Sequence, residues 1–272
     1  MGSATLREEG GGAGETLSRQ AVVIWSTVTF VGFLAIWELI VQAELVHRII
    51  LPGPGEVGIA LWDLVTSKAF PGHLATTLFE TAGGFVLGSA SGFLLALAVV
   101  LSPFLSRMLR PFIVALQVAP KIALAPLLIT WFGFGPNSKI AQSMLLTFFP
   151  VFINTDLGLS KIDLDSLKMM RSLLASRWEI FSKLRLPSAL PAIFVGLRVG
   201  LTFSLIGAVV AEMIAARSGL GLVLVQSHAR FAIDTMYAVI VIMSLIGLVL
   251  FVAIAWVDRK IVFWREGSTG LI

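Results

Sequence analysis

Only three residues that could do acid–base or electrostatic chemistry lie well inside the long apolar stretches of this sequence: Lys121, Arg198 and Glu212. They are scattered, and no carboxylate pair, histidine cluster or serine–lysine pair accompanies them. Cysteine is absent and the three histidines are far apart, which excludes zinc–thiolate sites and the common histidine metal motifs. A G-x-x-x-x-G-K-[ST] phosphate loop is also missing from the sequence. We therefore predict no catalytic residue, no metal site and no cofactor in this chain.

The composition indicates which solvent surrounds these residues. Of the 272 residues, 57% are hydrophobic and only 13% are charged, whereas about 25% is usual for a soluble domain. A soluble fold of this size could not bury so much apolar surface, so a lipid bilayer is the simpler environment. In a membrane protein the net charge of +4 reflects orientation, and we predict no nucleic-acid partner.

About six apolar stretches are long enough to cross a bilayer as helices, so the sequence predicts an all-α membrane protein. They cover 21–41, 77–101, 111–134, 140–159, 187–214 and 235–257. Pro120 and Pro126 interrupt the third stretch and leave carbonyl groups that must face protein or a wet cavity. A short amphipathic helix is predicted at 56–66, where it is too short to span.

Small residues recur along the second stretch. Gly84, Gly88 and Gly92 follow one another every four residues and share one helix face. Such a stripe lets a neighbouring helix backbone approach closely. We predict a helix-packing face, although glycine is also generally frequent in membrane helices.

The distribution of lysine and arginine predicts the orientation. Thirteen of these residues fall on the side that holds both termini and the 160–185 segment, against five on the other side. Because basic residues concentrate on the cytoplasmic side, we expect both termini in the cytoplasm. Residues 1–20 and 263–272 are then cytoplasmic tails, the first of them flexible, and residues 21–262 form the transmembrane domain.

The polar 160–185 segment ends in a predicted short helix at about 175–185. Ser176 and Glu179 stand in the S-x-x-E spacing of a capping box, and Pro187 is expected to stop the helix. An apolar face follows at helical spacing and consists of Trp178, Phe181 and Leu184. This face favours either an anchor in the membrane interface or a helix that docks in a groove of a soluble partner.

This segment resembles the "EAA" signature of bacterial ABC-importer permeases. Leu184-Arg185-Leu186-Pro187 matches the apolar-x-Leu-Pro ending of the signature. Lys168-Met169-Met170 stands where Glu-Ala-Ala would be, and Leu174 stands where the signature has glycine. The first half of the signature is therefore degenerate.

Neighbouring motifs extend the resemblance over about residues 20–262. They resemble the sulfonate, taurine, nitrate and bicarbonate branch of the binding-protein-dependent permeases. The matching segments are Leu51-Pro52-Gly53-Pro54, the run from Pro120-Lys121 to Trp131-Phe132-Gly133, Phe149-Pro150 with Asn154-Thr155, Leu186–Arg198, Val210-Ala211-Glu212 and Gly219-Leu220-Gly221.

The resemblance implies a MetI-like type I importer permease fold in the bacterial inner membrane, with a cytoplasmic coupling helix. It further implies a homodimer of this chain, two ATP-binding subunits that carry ATP and Mg²⁺, and a periplasmic or lipid-anchored solute-binding protein. The residues implied in coupling to the ATPase are Ala175, Ser176, Trp178, Glu179, Phe181, Leu184, Leu186 and Pro187.

The resemblance also indicates the class of solute, a small organic or inorganic anion such as a sulfonate, taurine, nitrate or bicarbonate. A vitamin precursor or an aromatic acid is the alternative. Candidate residues of the translocation pathway are Lys121, Asn154, Arg198 and Glu212. Three of them have a structural alternative. Arg198 could form an internal ion pair or snorkel towards the cytoplasmic side, Lys121 has the same ambiguity, and Glu212 could serve only hydrogen bonding. Two other functions are alternatives to transport by an importer. The chain could be an intramembrane enzyme, or it could be a channel or receptor that acts alone.

Overall fold

The structure is a computed structural model that describes residues 19–47 and 50–264. Most of the two predicted tails therefore lies outside the described residues. The regular structure of the described part is helical. Its α-helices are α1 (Arg19–Gln42), α2 (Pro54–Thr66), α3 (Phe70–Leu101), α4 (Pro103–Val118), α5 (Ala125–Phe132), α6 (Pro136–Ser160), α7 (Leu164–Ser172), α8 (Arg177–Ile180), α9 (Leu186–Ala215), α10 (Leu220–Ala229) and α11 (Ile233–Ile261).

The chain divides into two units, the first ending at Glu56 and the second beginning at Val57. The first unit holds α1, whose stretch Val23–Gln42 is long and apolar enough to span a membrane. The Trp37 indole donates a hydrogen bond to the carbonyl of Pro52 at 3.1 Å. The Glu56 carboxylate accepts from the backbone N–H of Gly53 at 2.9 Å, which satisfies a free donor at the start of α2.

The second unit holds four further helices of spanning length and one bent pair. The long helices are Phe70–Leu101, Pro136–Ser160, Arg177–Ala215 and Ile233–Ile261, and the pair is Pro103–Val118 with Lys121–Phe132. The described residues thus contain five candidate spans, or six if the pair counts as one. The prediction of about six transmembrane helices in an all-α fold is confirmed.

The third predicted span, 111–134, is interrupted near Pro120 as the sequence indicates, and the structure shows that the interruption is a sharp bend. α4 ends at Val118, a 3₁₀ turn covers Lys121–Leu124, and the two arms meet at 89°. The break has a local cause, because a residue that precedes proline is pushed out of the helical region. Ala119 accordingly has the extended angles φ −60° and ψ 141° ahead of Pro120.

The core of the second unit is α6, which packs against α3 on one side. The predicted glycine stripe of α3 lies in this contact. A Cβ atom at Gly88 would sit 2.6 Å from the carbonyl oxygen of Met144, and one at Gly92 would sit 2.7 Å from that of Phe148. At Gly84 the same atom would collide with the Ser143 side chain. Only glycine allows the two backbones to approach this closely.

A second set of glycines brings α9 against α6. A Cβ atom at Gly207 would lie 2.8 Å from the Cα of Ser143, and one at Gly200 would lie 2.9 Å from a methyl of Val151. Buried hydroxyl groups add polar links at the same level. Ser143 Oγ donates to the carbonyl of Ser204 at 2.7 Å, and Ser204 Oγ donates to that of Thr81 at 2.7 Å. The three helices α3, α6 and α9 therefore form one closely packed block.

A pair of glycine substitutions within α3 tests this packing. Gly88→Ala should lower the free energy of unfolding by about 1–3 kcal/mol, because the new methyl group must push α6 away. Gly72→Ala is the matched control, since nothing lies within 4 Å of a Cβ atom at that position. Thermal unfolding of both variants in detergent measures the difference. Equal midpoints would show that the stripe does not hold α3 against α6.

Candidate functional site

The predicted cytoplasmic loop is ordered by two caps and one unusual backbone turn. Asp163 caps α7, where its carboxylate accepts from the Ser166 backbone at 2.8 Å. The hydrogen bonds from the Ser166 hydroxyl and backbone hold the pKa of Asp163 below its usual value. Leu174 then turns the chain with a left-handed φ of 58° and leaves its side chain 92% exposed. A left-handed conformation is the reason that glycine suits this position of the signature.

The predicted capping box starts the next helix. Glu179 accepts from the backbone N–H of Ser176 at 2.9 Å, and Ser176 Oγ accepts from the backbone N–H of Glu179 at 3.2 Å. Both residues thus satisfy donors that α8 cannot satisfy internally. Ala175 precedes the cap, and its N–H donates to the carbonyl of Met170 at 3.0 Å.

The helix does not stop at Pro187, contrary to the sequence prediction. A π-turn, Phe181–Arg185, joins α8 to α9, and the N–H of Leu186 donates to the carbonyl of Phe181. Proline lies in the first turn of α9, where its missing N–H removes little. Residues Arg177–Ala215 consequently form a single helix of 39 residues.

The two aromatic residues of the loop helix have different environments. Trp178 is 71% exposed, whereas Phe181 is half-buried and packs against the cluster of Leu159, Ala189 and Ile193. Their ring centroids are 5.6 Å apart. Phe181 therefore packs the loop helix against the membrane domain, whereas most of the Trp178 side chain is exposed. Leu184 and Leu186 are partly buried beside them.

Two of the four candidate pathway residues, Lys121 and Asn154, line one cavity of about 540 Å³. The Lys121 ammonium lies 4.4 Å from the centroid of the Phe149 ring and donates to the carbonyl of Gln117 at 2.5 Å. The Asn154 amide donates to the carbonyl of Pro150 at 2.8 Å. The bend before α5 places Lys121 here, so its position follows from Pro120.

Arg198, the third candidate, lies elsewhere and is paired. Its guanidinium forms an ion pair with the Asp258 carboxylate near the end of α11. The side chain of Asp258 is only 8% exposed and that of Arg198 is 25% exposed. This arrangement is the internal ion pair that the sequence left open as the alternative to a pathway role.

Comparisons with known proteins assign the chain to a family. Residues 84–263 match the family described as the inner membrane component of binding-protein-dependent transport systems. The chain belongs to this family. The permease is 33% identical to a formylaminopyrimidine transport permease of Halalkalibacterium halodurans over 92% of this chain and 99% of that protein. It is 32% identical to a putative aliphatic sulfonates transport permease of Bacillus subtilis, over 87% and 86% of the two chains.

The fold is also that of a solved permease. A chain of the MetNI methionine ABC transporter, in an inward-facing conformation, aligns with a TM-score of 0.56 at 19% identity. The alignment covers 76% of this chain and 97% of that one. The predicted MetI-like fold is therefore confirmed. The permease is an ABC-transporter subunit that moves a solute across the membrane, and a separate ATPase hydrolyses ATP.

Glu212, the fourth candidate, lies in α9 and links this helix by hydrogen bonds to α3 and to the start of α10. Its carboxylate accepts from the Thr77 hydroxyl and from the Gly221 N–H, both at 2.7 Å. A Cβ atom at Gly219, where φ is +119°, would collide with this carboxylate. At Gly221 it would lie 2.5 Å from the carbonyl of Val209. The Gly219-Leu220-Gly221 motif thus allows α10 to begin directly on Glu212.

The sequence prediction missed two buried charged residues near Glu212. Glu80 and Lys139 are each 2% exposed, and they line a second cavity of about 800 Å³. The Lys139 ammonium donates to the carbonyl of Phe134 at 2.6 Å. Lys139 lies just before the fourth predicted stretch, 140–159, and Glu80 lies near the start of the second, 77–101, where it was not taken as a site residue. Proline at the first turn of α6, Pro136, was the available signal that this span begins earlier.

The Arg198–Asp258 pair predicts a non-additive double-mutant cycle. Arg198→Gln and Asp258→Asn should each lower the free energy of unfolding by about 2 kcal/mol, because each leaves a partly buried charge without its partner. The double variant should lose less than the two losses together. Thermal unfolding in detergent measures all three. Strictly additive losses would show that the two side chains do not stabilise each other.

Proposed function

We propose that the permease works as a homodimer with two cytoplasmic ATPases and a solute-binding protein, and that it imports a small anion. The loop helix, which Ser176 caps and which begins at Arg177, is the point at which the ATPase acts on the membrane domain. The proposal rests on one observation above all: the exposed Trp178 belongs to the same unbroken helix as the intramembrane packing face of α9.

Because the loop helix continues into α9, a displacement of the loop helix can be transmitted into the membrane. A force applied to a flexible loop is lost in the loop, whereas a helix transmits both displacement and rotation along its axis. α9 in turn is held against α6 by close glycine contacts at Gly200 and Gly207. Movement of Trp178 by the ATPase would therefore move the packed block, which can switch access between the two sides of the membrane.

The apolar face of the loop helix, formed by Trp178, Phe181 and Leu184, is better suited to docking in a groove of a soluble partner than to anchoring in the membrane interface. Its neighbours Lys183 and Glu179 form an exposed ion pair at 3.3 Å, and the loop around it is strongly polar. A single exposed tryptophan within a charged surface has the composition of an interface hot spot. Phe181 supports this interface from inside the permease. Its half-buried ring packs beside Trp178 and fixes the position of the tryptophan.

The solute is proposed to pass Lys121 and Asn154. These residues face one cavity beside the bend between α4 and α5, and backbone that departs from a regular helix at membrane depth belongs next to a cavity. Arg198 and Glu212 have structural partners, so we assign them to the stability of the permease.

An anion is favoured by the sulfonate relative and by the lysine in the cavity. The formylaminopyrimidine relative keeps a vitamin precursor as the second candidate. We place the permease in the bacterial inner membrane with both termini in the cytoplasm, because thirteen basic residues against five favour that orientation.

A double substitution tests the coupling role. Trp178→Ala with Phe181→Ala should abolish solute uptake while the protein still inserts, since a hot-spot aromatic contributes about 2 kcal/mol or more to an interface. Uptake and ATP hydrolysis are measured together in proteoliposomes that contain the ATPase and the binding protein. Phe104→Ala removes another exposed aromatic side chain on the same predicted side and should leave uptake unchanged. Normal uptake per ATP in the double variant would sink the assignment.

A further inference from the structure

The cavity around Lys121 has an unusual charge for its position. Phe149 lies thirteen residues into the 25-residue helix α6, which is roughly 20 Å from the start of that helix and near the middle of its length. Lys121 places its ammonium over this ring. A full positive charge thus lies at about the depth of the membrane centre, where charges are costly and usually have a function.

Lys121 differs from Arg198 and Lys139, two other basic residues of the long helices. Arg198 pairs with Asp258, and Lys139 lines the same cavity as Glu80. Within 19–47 and 50–264, by contrast, no carboxylate lies at salt-bridge distance from Lys121. Its described partners are the Gln117 carbonyl and the Phe149 ring. Neither cancels the charge, so the cavity is left with a net positive potential.

The rest of the wall is mostly apolar. Ile153, Val199 and Phe203 line the cavity beside the Phe149 ring. Asn154 and Gln117 are its two amide residues, and the Asn154 amide already donates to the carbonyl of Pro150. The volume of about 540 Å³ falls within the range of small-molecule sites. Such a wall offers an anionic group one cation and few further donors. It offers the remainder of a ligand an apolar surface.

We propose that this cavity is the site where the permease recognises its solute, and that the solute is a small organic anion with an apolar body. The inference rests on the proposed function as an importer. The anionic group lies against Lys121, and the apolar body lies against Phe149, Ile153 and Val199. An inorganic anion would lose its hydration with too few donors to replace it. A zwitterion would place its ammonium group where the described wall has no carboxylate.

The absence of cysteine from the sequence allows a direct test on the full chain, reconstituted in nanodiscs with its ATPase and without ATP. Ile153→Cys puts a thiol on the cavity wall, and Val199→Cys is a second reporter should the first fold poorly. The probes are two thiol reagents of similar size, the anionic 2-sulfonatoethyl methanethiosulfonate and its cationic trimethylammonioethyl analogue. Their rate ratio reports the potential in the cavity.

Adding Lys121→Gln should lower the preference for the anionic reagent at least tenfold, because a unit charge a few ångströms away acts strongly in a partly enclosed site. Lys121→Arg keeps the charge and should keep the preference. Ala75→Cys, which lies in the other cavity, should show the same ratio with and without Lys121. Hexanesulfonate should slow the labelling of Ile153→Cys, and this protection should disappear with Lys121→Gln.

An anion preference that survives Lys121→Gln would overturn the site. Protection by nitrate or taurine at the concentration at which hexanesulfonate protects would overturn the proposed solute class. ATP-driven uptake into proteoliposomes is measured separately with the unmodified chain. Its failure would contradict the importer proposal, whereas the labelling ratios test the site without any transport.

Discussion

The close approach of α6 to α3 and α9 is the constraint on which the rest of the structure depends. In a bilayer the lipid is as apolar as the helix surfaces, so association must come from close packing and from polar links between helices. Gly88 and Gly92 supply the packing on the α3 side, and Gly200 and Gly207 supply it on the α9 side. The hydroxyl of Ser143 links α6 to Ser204 at the same level.

α9 belongs to this block and makes different contacts at its two ends. At one end the π-turn joins it to the loop helix and to Trp178. At the other end Glu212 holds the start of α10 through two hydrogen bonds. A movement that enters at the loop can therefore reach the opposite end of the span without passing through a flexible joint. The bend at Pro120 lies outside this rigid path and shapes the Lys121 cavity instead.

Patterns within a single helix were predictable from the sequence. The capping box of Ser176 and Glu179 and the glycine period of α3 each depend on residues three or four positions apart, and both are found where the spacing places them. The family resemblance predicted the fold and the loop helix, and it also rests on short local motifs.

Features that depend on contacts between distant segments were not predictable. Asp258 is sixty residues from Arg198, and nothing in either local sequence indicates their pairing. Burial of Lys139 within α6 contradicts the assumption that a charge marks the end of a span, and nothing local to Glu80 indicates that its side chain is buried. Pro187 was expected to stop a helix, but a π-turn accommodates it within the first turn of α9. A local rule fails wherever tertiary packing supplies a partner that the rule does not include.

We propose that force passes from the ATPase to α9 through one continuous helix. The most direct measurement is the number of solute molecules taken up per ATP after two glycines are inserted between Ser182 and Lys183, within the π-turn. The docking face and the membrane block remain in this variant, but the rigid connection between them is lost. We expect the ATPase to remain bound and active while uptake disappears, and the same insertion after Leu173, outside the long helix, to preserve uptake. Uptake per ATP at the level of the unmodified chain, with the glycines in the π-turn, would show that coupling does not depend on the continuous helix.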